Sequence, residues 1–301
     1  MLARSVRVPP VLILFLIVCA LLGWQFSQHS SQPSPLTAAS NIDPITGKPI
    51  PRIALVTFIT DEKSYIHLSL KNKDRKSIGA TSCVPLSSLN TINPDYARRH
   101  GYDFITDYEA HTPRGTTYWK FNMMERLIAT EKWDWIWWLD FDTLITNTDI
   151  KVHDIIAETL ANATDPDNID FLTSHDCNGL NTGSFIVRGH PRSAQFLNDI
   201  YAISDGEKTA DHSLSEQDAM AKLIKSDPVS GARTKQVPQY RLNAFPQEIA
   251  CFDEEDKVWS PGAFVIHFAG AWAHVSGDDP TGQLMTKYKD EIIWGDWKEF
   301  Y

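Results

Sequence analysis

Positive charge is scarce in this chain: 28 Lys and Arg stand against 38 Asp and Glu, a net charge of −10 over 301 residues. A nucleic-acid binder needs a basic surface to neutralise phosphates, so the balance argues against that class. Cysteine is scarce as well, with four in all and no pair at metal-site spacing. Cys19 lies inside an apolar run, which leaves Cys83, Cys177 and Cys251. One disulfide beside one free thiol is open to such an odd set, and no pairing can be deduced. No internal repeat is visible, which argues against a solenoid or propeller.

Long apolar runs are also missing, except at the N-terminus. Arg4 and Arg7 precede Val11–Trp24 (VLILFLIVCALLGW), a stretch that extends loosely from Val8 to Phe26. Gly23, Trp24, Gln25 and Phe26 make a poor small-x-small cleavage site, so an anchor fits better than a removed signal peptide. The run is long enough for a thin bilayer of the early secretory pathway. Basic residues precede it and none follows until Lys48, which predicts a cytosolic tail and a lumenal bulk. The expected layout is a tail at 1–10, a membrane anchor at 11–26, a Ser-, Gln- and Pro-rich stem at 27–51, and a folded lumenal domain at 52–301. Asn162-Ala163-Thr164 is the one glycosylation sequon, in a polar stretch that reads as a surface loop.

Short β-rich runs alternate with helical periodicity along that domain. Strands are expected at Arg52–Thr60, Gly101–Ile105, Trp133–Asp140, Ile169–Ser174, Ser184–Arg188 and Ala263–Phe268. Helices are expected at Tyr65–Lys73, Thr116–Lys132, Ile150–Asn162, Pro191–Ile203 and Glu216–Lys225. The alternation predicts an α/β sandwich on a largely parallel sheet.

The segment Trp133–Asp142, WDWIWWLDFD, is the most informative. A buried aromatic strand ends in Asp140-Phe141-Asp142, whose carboxylates at i and i+2 share one face about 6–7 Å apart. Ligands of open α/β sheets bind past the carboxyl ends of strands. Hard cations such as Mg²⁺ and Mn²⁺ take oxygen ligands there and bridge to phosphates. An Asp-x-Asp is otherwise only an acidic loop. His267, at the end of the late strand, can supply a nitrogen ligand to the same metal or be an ordinary core histidine. Gly270 would let backbone approach a phosphate. Asn181 and Thr182, between Gly179 and Gly183, could bond sugar hydroxyls, but by itself the segment reads as a turn. Ser215-Glu216-Gln217-Asp218 reads structurally as a helix N-terminus.

YARRHGYDF, WIWWLDFDTLITN, HDCNGLNTGSFIVR, SEQDAM and VIHFAGAW, spread in this order from Tyr96 to Trp272, together resemble fungal glycosyltransferase family 34. That family holds Golgi α-galactosyltransferases and α-1,6-mannosyltransferase subunits, with plant xyloglucan xylosyltransferases as relatives. The resemblance implies a GT-A type nucleotide-sugar-binding fold, a single Rossmann-like α/β/α domain, and a retaining enzyme that needs Mn²⁺ or Mg²⁺. It implies that Asp140, Asp142 and His267 are metal ligands, with Asp140 also on the donor diphosphate. It places Asn181, Thr182, Gly183 and Gly270 along the donor, with Lys120 helping to hold it. Gln217 would lie behind the anomeric carbon with Glu216 and Asp218 beside it, in the catalytic set. UDP-galactose and GDP-mannose both remain open as donor, and the acceptor would be a mannose-containing glycan in the Golgi.

Two features depart from the family pattern. Plant relatives carry a basic residue after the His-x-x-Gly segment, where this chain has Ala271-Trp272-Ala273-His274. The polar stretch Lys76–Asp95 is added where relatives pass almost directly onward, either as an insertion or as an error in the gene reading. These departures argue for an alternative, a non-catalytic or weakly catalytic subunit of a mannan-polymerising complex partnered by other glycosyltransferases, and the intact Asp140/Asp142, His267 and Glu216-Gln217-Asp218 set argues against it. A third reading makes Asp140 and Asp142 the acid/base pair of a glycoside hydrolase, although hydrolase carboxylates usually come from different elements.

Overall fold

The computed structural model of the chain describes residues 49–58, 96–107, 114–209 and 213–295. The N-terminal anchor, the stem up to Lys48, the Tyr65–Lys73 helix, the Lys76–Asp95 segment and Cys83 lie outside the described residues. Among the described residues no helix is long and apolar enough to cross a membrane. One compact unit runs from Pro51 to Tyr301.

Six strands build its main sheet: β1 (Ile53–Phe58), β2 (Asp103–Asp107), β3 (Trp135–Leu139), β5 (Phe171–Asp176), β6 (Gly179–Arg188) and β7 (Thr234–Gln236). Their order is β2-β1-β3-β6-β5-β7. β1 pairs in parallel with β2 and β3, and β5 with β7, while β6 runs antiparallel to both β3 and β5. The expected largely parallel sheet is therefore interrupted at its centre. The cause is local: β5 and β6 form a hairpin closed by the two residues Cys177 and Asn178, with Asp176 opposite Gly179. Asn178-Gly179 is the turn signal, and Gly179 has a φ of 106° that a side chain would strain.

The uninterrupted apolar runs follow from burial on both faces. Ala54, Val56, Ile136, Trp138, Phe185 and Val187 face one core. That core is shared with α2 (Trp119–Ile128), α4 (Pro191–Glu207) and α5 (Glu216–Ser226). The alternate residues Ile53, Leu55, Trp135, Trp137, Leu139 and Ile186 face the opposite core with α1 (Tyr96–Arg99) and α3 (Val152–Ala161). Asn162 follows α3 and is exposed, as expected of a surface sequon.

The late strand does not join the main sheet. β8 (Val265–His267) pairs antiparallel with β4 (Thr143–Ile145), with His267 opposite Thr143. This two-stranded sheet is packed by Phe245, Trp259, Met285 and Tyr288 in a third core. The shorter helices among the described residues include α6 (Pro228–Ala232), α7 (Gln239–Leu242), α8 (Ala271–His274) and α9 (Pro280–Tyr288). A disulfide joins Cys177, in the β5–β6 turn, to Cys251, 74 residues later.

Candidate active site

The Asp-x-Asp segment is a turn rather than the end of a strand. β3 stops at Leu139, Asp140–Asp142 reverse the chain, and β4 begins at Thr143. The turn is pinned on two sides. The Asp140 N–H donates to the Gly183 carbonyl at 2.7 Å, and the Phe268 N–H donates to the Asp142 carbonyl at 3.0 Å. Thr143 Oγ1 closes it with a 2.6 Å bond to the Asp140 carbonyl. The side chains gather more tightly than strand geometry predicts: one ligand atom each of Asp140, Asp142 and His267 lie within 4.8 Å of one another.

The aromatic strand β3 also orients Asp140. Trp138 Nε1 donates to Asp140 Oδ1 at 2.6 Å, and Lys120 Nζ donates to the same oxygen at 3.2 Å. His267 is only 2% exposed. Its Nδ1 lies 2.8 Å from Asn243 Oδ1, and its Nε2 faces Asp142 Oδ1 at 3.2 Å. Asn243 presents an acceptor oxygen to Nδ1, so Nδ1 carries a ring proton, and in the neutral ring the lone pair lies on Nε2. A lone pair facing a carboxylate oxygen at that distance requires a cation or a proton between them. Two carboxylates and an imidazole nitrogen form a donor set suited to Mn²⁺ or Mg²⁺, so these residues fit the metal that the sequence implied.

Beside this cluster, β6 replaces the turn expected at Asn181–Gly183. All three residues are inside the strand, because the hairpin turns earlier, at Cys177–Asn178. Asn181 and Thr182 are buried, and their side chains are engaged within the protein. Asn181 Nδ2 donates to Asp176 and Thr182 Oγ1 donates to Glu216. Gly183 is where the His267 ring packs: a Cβ there would stand 2.1 Å from its Cε1. Gly270, expected at a close backbone approach, adopts a φ of 61° at the start of α8, and a Cβ on it would meet nothing within 4 Å. Its glycine is required by conformation.

Ser215 caps α5, accepting from the Asp218 N–H at 3.0 Å and donating to the Asp218 carboxylate at 2.7 Å. Asp218 is exposed at this cap. Gln217 Oε1 accepts the Thr182 N–H at 3.1 Å, which ties the helix start to β6. Glu216 points inward, 7% exposed, and accepts from Lys120 at 3.1 Å. Lys120 is itself 5% exposed and also reaches the Thr182 carbonyl at 3.2 Å. Burial pushes the Glu216 carboxyl up, but the Lys120 ammonium and hydrogen bonds from Thr117 and Lys120 outweigh it and hold it below its ordinary value. Burial likewise pushes Lys120 down, and Asp140 with Glu216 holds it above its ordinary value.

The sign of the pH dependence follows from these directions. The Glu216 contribution to stability is present above the ordinary carboxylate pKa and is lost as pH falls through the depressed folded value. The Lys120 contribution is present below the ordinary amine pKa and is lost as pH rises through the raised folded value. Lys120→Met leaves a buried carboxylate unpaired and is expected to destabilise the protein by about 3–5 kcal/mol in urea unfolding at neutral pH. Lys120→Met/Glu216→Gln removes both charges and should regain much of that loss. Equal instability of the single and double variants would refute the pairing.

Three parts of the site carry no signal that residue patterns alone reveal. Asn243, fully buried beside His267, sits in an unremarkable Arg-Leu-Asn-Ala-Phe run. Asp176 precedes the Asn-Gly turn and reads as a turn residue. The Trp138 indole looks like core packing, and its bond to Asp140 is visible only once the turn is folded.

A mixed α/β sheet with candidate metal ligands gathered around the turn after a central strand is the arrangement of a protein that binds its ligand past the strand ends. The chain belongs to the galactosyl transferase GMA12/MNN10 family, which it matches over residues 86–164 and 156–276. It is 31% identical over 188 residues to a probable alpha-1,2-galactosyltransferase, gmh1, of Schizosaccharomyces pombe, covering 53% of each chain. It is 26% identical over 180 residues to the probable alpha-1,6-mannosyltransferase MNN10 of Saccharomyces cerevisiae, covering 50% of this chain and 45% of that one. The chain thus spans about half the length of the curated relatives it matches. Among solved structures, it is similar to a glycosyltransferase involved in glycosylation of the major capsid of PBCV-1. The two share 16% identity over 79% of this chain and 100% of that one, with a TM-score of 0.49.

Proposed function

We propose that this chain is a retaining, metal-dependent α-glycosyltransferase of GT-A type. It moves a hexose from UDP-galactose or GDP-mannose onto mannose-containing glycans of glycoproteins. It is held in the Golgi membrane by residues 11–26, with residues 52–301 in the lumen. The Cys177–Cys251 disulfide supports an oxidising compartment. The observation that carries the activity is the Asp140–Asp142–His267 cluster, closed to within 4.8 Å in a chain of the galactosyl transferase family.

Asp140, Asp142 and His267 would hold Mn²⁺ or Mg²⁺, which when bound neutralises charge on a departing diphosphate. The remaining work falls to side chains that position and do not react. Gln217 is a poor nucleophile, and its amide oxygen already accepts from Thr182. Glu216 is buried against Lys120 and is not available to attack a sugar. Asp218 is engaged at the helix cap by Ser215, so none of the three presents a free nucleophile for a covalent sugar–enzyme intermediate. Retention follows a front-face path: the bond from the anomeric carbon to phosphate oxygen breaks, and the bond to the acceptor oxygen forms on the same face. The acceptor proton passes to the leaving phosphate. The protein contributes orientation and a preorganised field.

The test uses the 301-residue chain in mild detergent with an α-mannoside acceptor and, in turn, UDP-galactose, GDP-mannose, UDP-glucose and UDP-xylose. Transfer from one donor with Mn²⁺, abolished by EDTA, is the expected result. Sugar release that survives EDTA would point to the hydrolase reading. One observation favours a subunit role: α8, directly after Gly270, presents exposed Trp272 and His274 and contains no Lys or Arg to grip a diphosphate. Folded protein that neither transfers nor hydrolyses any donor would make that role the better account.

A further inference from the structure

His267 is the terminus of a chain of buried amides that begins at Asp176. His267 Nδ1 bonds Asn243 Oδ1 at 2.8 Å, Asn243 Nδ2 bonds Asn181 Oδ1 at 2.9 Å, and Asn181 Nδ2 bonds Asp176 Oδ2 at 2.8 Å. Asn243 is fully buried, Asn181 is 6% exposed and Asp176 is 9% exposed. These residues come from separate parts of the fold: β5, β6, the residue after α7, and β8.

The direction of every bond can be deduced. A backbone N–H only donates, and the Gly183 N–H meets Asn181 Oδ1 at 2.8 Å. The oxygen of Asn181 is therefore fixed, and its NH₂ must face Asp176. Asp176 accepts there and, on its other oxygen, from the Asn178 N–H at 2.7 Å. Because Asn181 presents oxygen to Asn243, Asn243 must present its NH₂ in return. Its own oxygen then faces His267, and Nδ1 must carry the proton. The Gly183 N–H and the Asp176 carboxylate thus decide, two amides away, which imidazole nitrogen keeps its lone pair.

We propose that Asp176, Asn181 and Asn243 are positioning residues that lock His267 in the Nδ1–H form and aim Nε2 at the Asp140–Asp142 cluster. Outer partners of this kind typically govern metal affinity by about 10–100-fold. The proposal rests on the metal reading for its affinity readout alone; the tautomer is a property of the metal-free chain.

The experiment combines ¹⁵N-histidine NMR of the metal-free 301-residue chain at mildly alkaline pH with Mn²⁺ titration. The His267 signals are assigned by difference from His267→Gln. In the wild type, Nδ1 should show the protonated-type shift and Nε2 the lone-pair type. Asp176→Ala and Asn243→Ala should each mix the two forms and weaken Mn²⁺ binding by about 10–100-fold. Their double variant should be little worse than Asn243→Ala alone, because the residues act through one chain. Asp176→Asn/Asn181→Asp, which can re-form every bond with the charge moved, should restore the Mn²⁺ affinity relative to Asn181→Asp, in which two carboxylates face each other. An Asp176→Ala protein with an unchanged tautomer and unchanged affinity would overturn the proposal. Should Asp176→Ala not fold, equal Mn²⁺ affinity of Asn181→Asp and the exchanged pair would overturn it instead. A wild type with the expected tautomer that binds no Mn²⁺ would sustain the relay and remove the metal reading.

Discussion

Asp142→Asn is expected to lower metal-dependent transfer by at least about 10²–10³-fold while leaving the fold as stable as the wild type. The two effects separate because of what Asp142 faces. Its Oδ1 lies 3.2 Å from His267 Nε2, which in the neutral Nδ1–H ring offers only a lone pair. An asparagine amide of the same shape can donate to that nitrogen. It thereby satisfies the metal-free site better than a carboxylate does, and it removes the negative charge that a divalent cation requires. Thermal unfolding without metal should be unchanged or slightly raised. Addition of Mn²⁺ should stabilise the wild type by mass action and leave the variant unmoved. Full transfer by Asp142→Asn would contradict the metal role. A large loss of stability would mean that the carboxylate serves the fold instead.

The parts of this site that were legible in the sequence are those whose chemistry is local. The WIWWL run announces a strand buried on both faces, and the structure buries all five residues. Ser215 followed by Asp218 announces a helix cap, and the cap is formed. Residue type and position mark Asp140, Asp142 and His267 as candidate ligands, and the fold brings them together. Two turn signals competed between Cys177 and Gly183, Asn178-Gly179 and Asn181-Thr182-Gly183. Local preference could not rank them, and the chain turns at the first. The reason is tertiary: Gly183 must remain extended so that its carbonyl accepts from Asp140, and its missing side chain leaves space for the imidazole.

What stayed hidden depends on contacts between distant segments. The antiparallel direction of β6 follows from that same choice of turn. The placement of His267 outside the main sheet follows from its pairing with β4, which begins where the Asp-x-Asp turn ends. Asn243 reaches His267 because Ala244 forms a bridge to Ile266 and accepts the His267 N–H at 2.8 Å. No residue pattern near position 243 encodes that bridge. Nothing near Lys120 or Glu216 in the sequence shows that they form a buried ion pair, with Lys120 also reaching Asp140.

Gly183→Ala should reproduce the loss of metal binding through packing alone. The new Cβ would lie 2.1 Å from His267 Cε1, 2.8 Å from Nδ1 and 3.0 Å from Asn181 Oδ1. The imidazole has little room to retreat: it is 2% exposed, held by Asn243 and set edge-on to Phe245 at 5.5 Å. Either the ring rotates off Asn243 and Asp142, or β6 shifts and loosens the bond from Asp140 to the Gly183 carbonyl. Overpacking of this kind costs about 1–3 kcal/mol, which for a domain of this size lowers Tm by roughly 2–12 °C. Transfer and Mn²⁺ affinity should each fall by at least about tenfold. Gly183→Ala/His267→Ala separates the two consequences, because deleting the ring removes the clash without restoring the ligand. The double variant should regain much of the lost stability and still bind no Mn²⁺. A Gly183→Ala protein with wild-type Tm and affinity would mean that the imidazole does not rest on this glycine, and the tautomer argument built on its neighbours would fail with it.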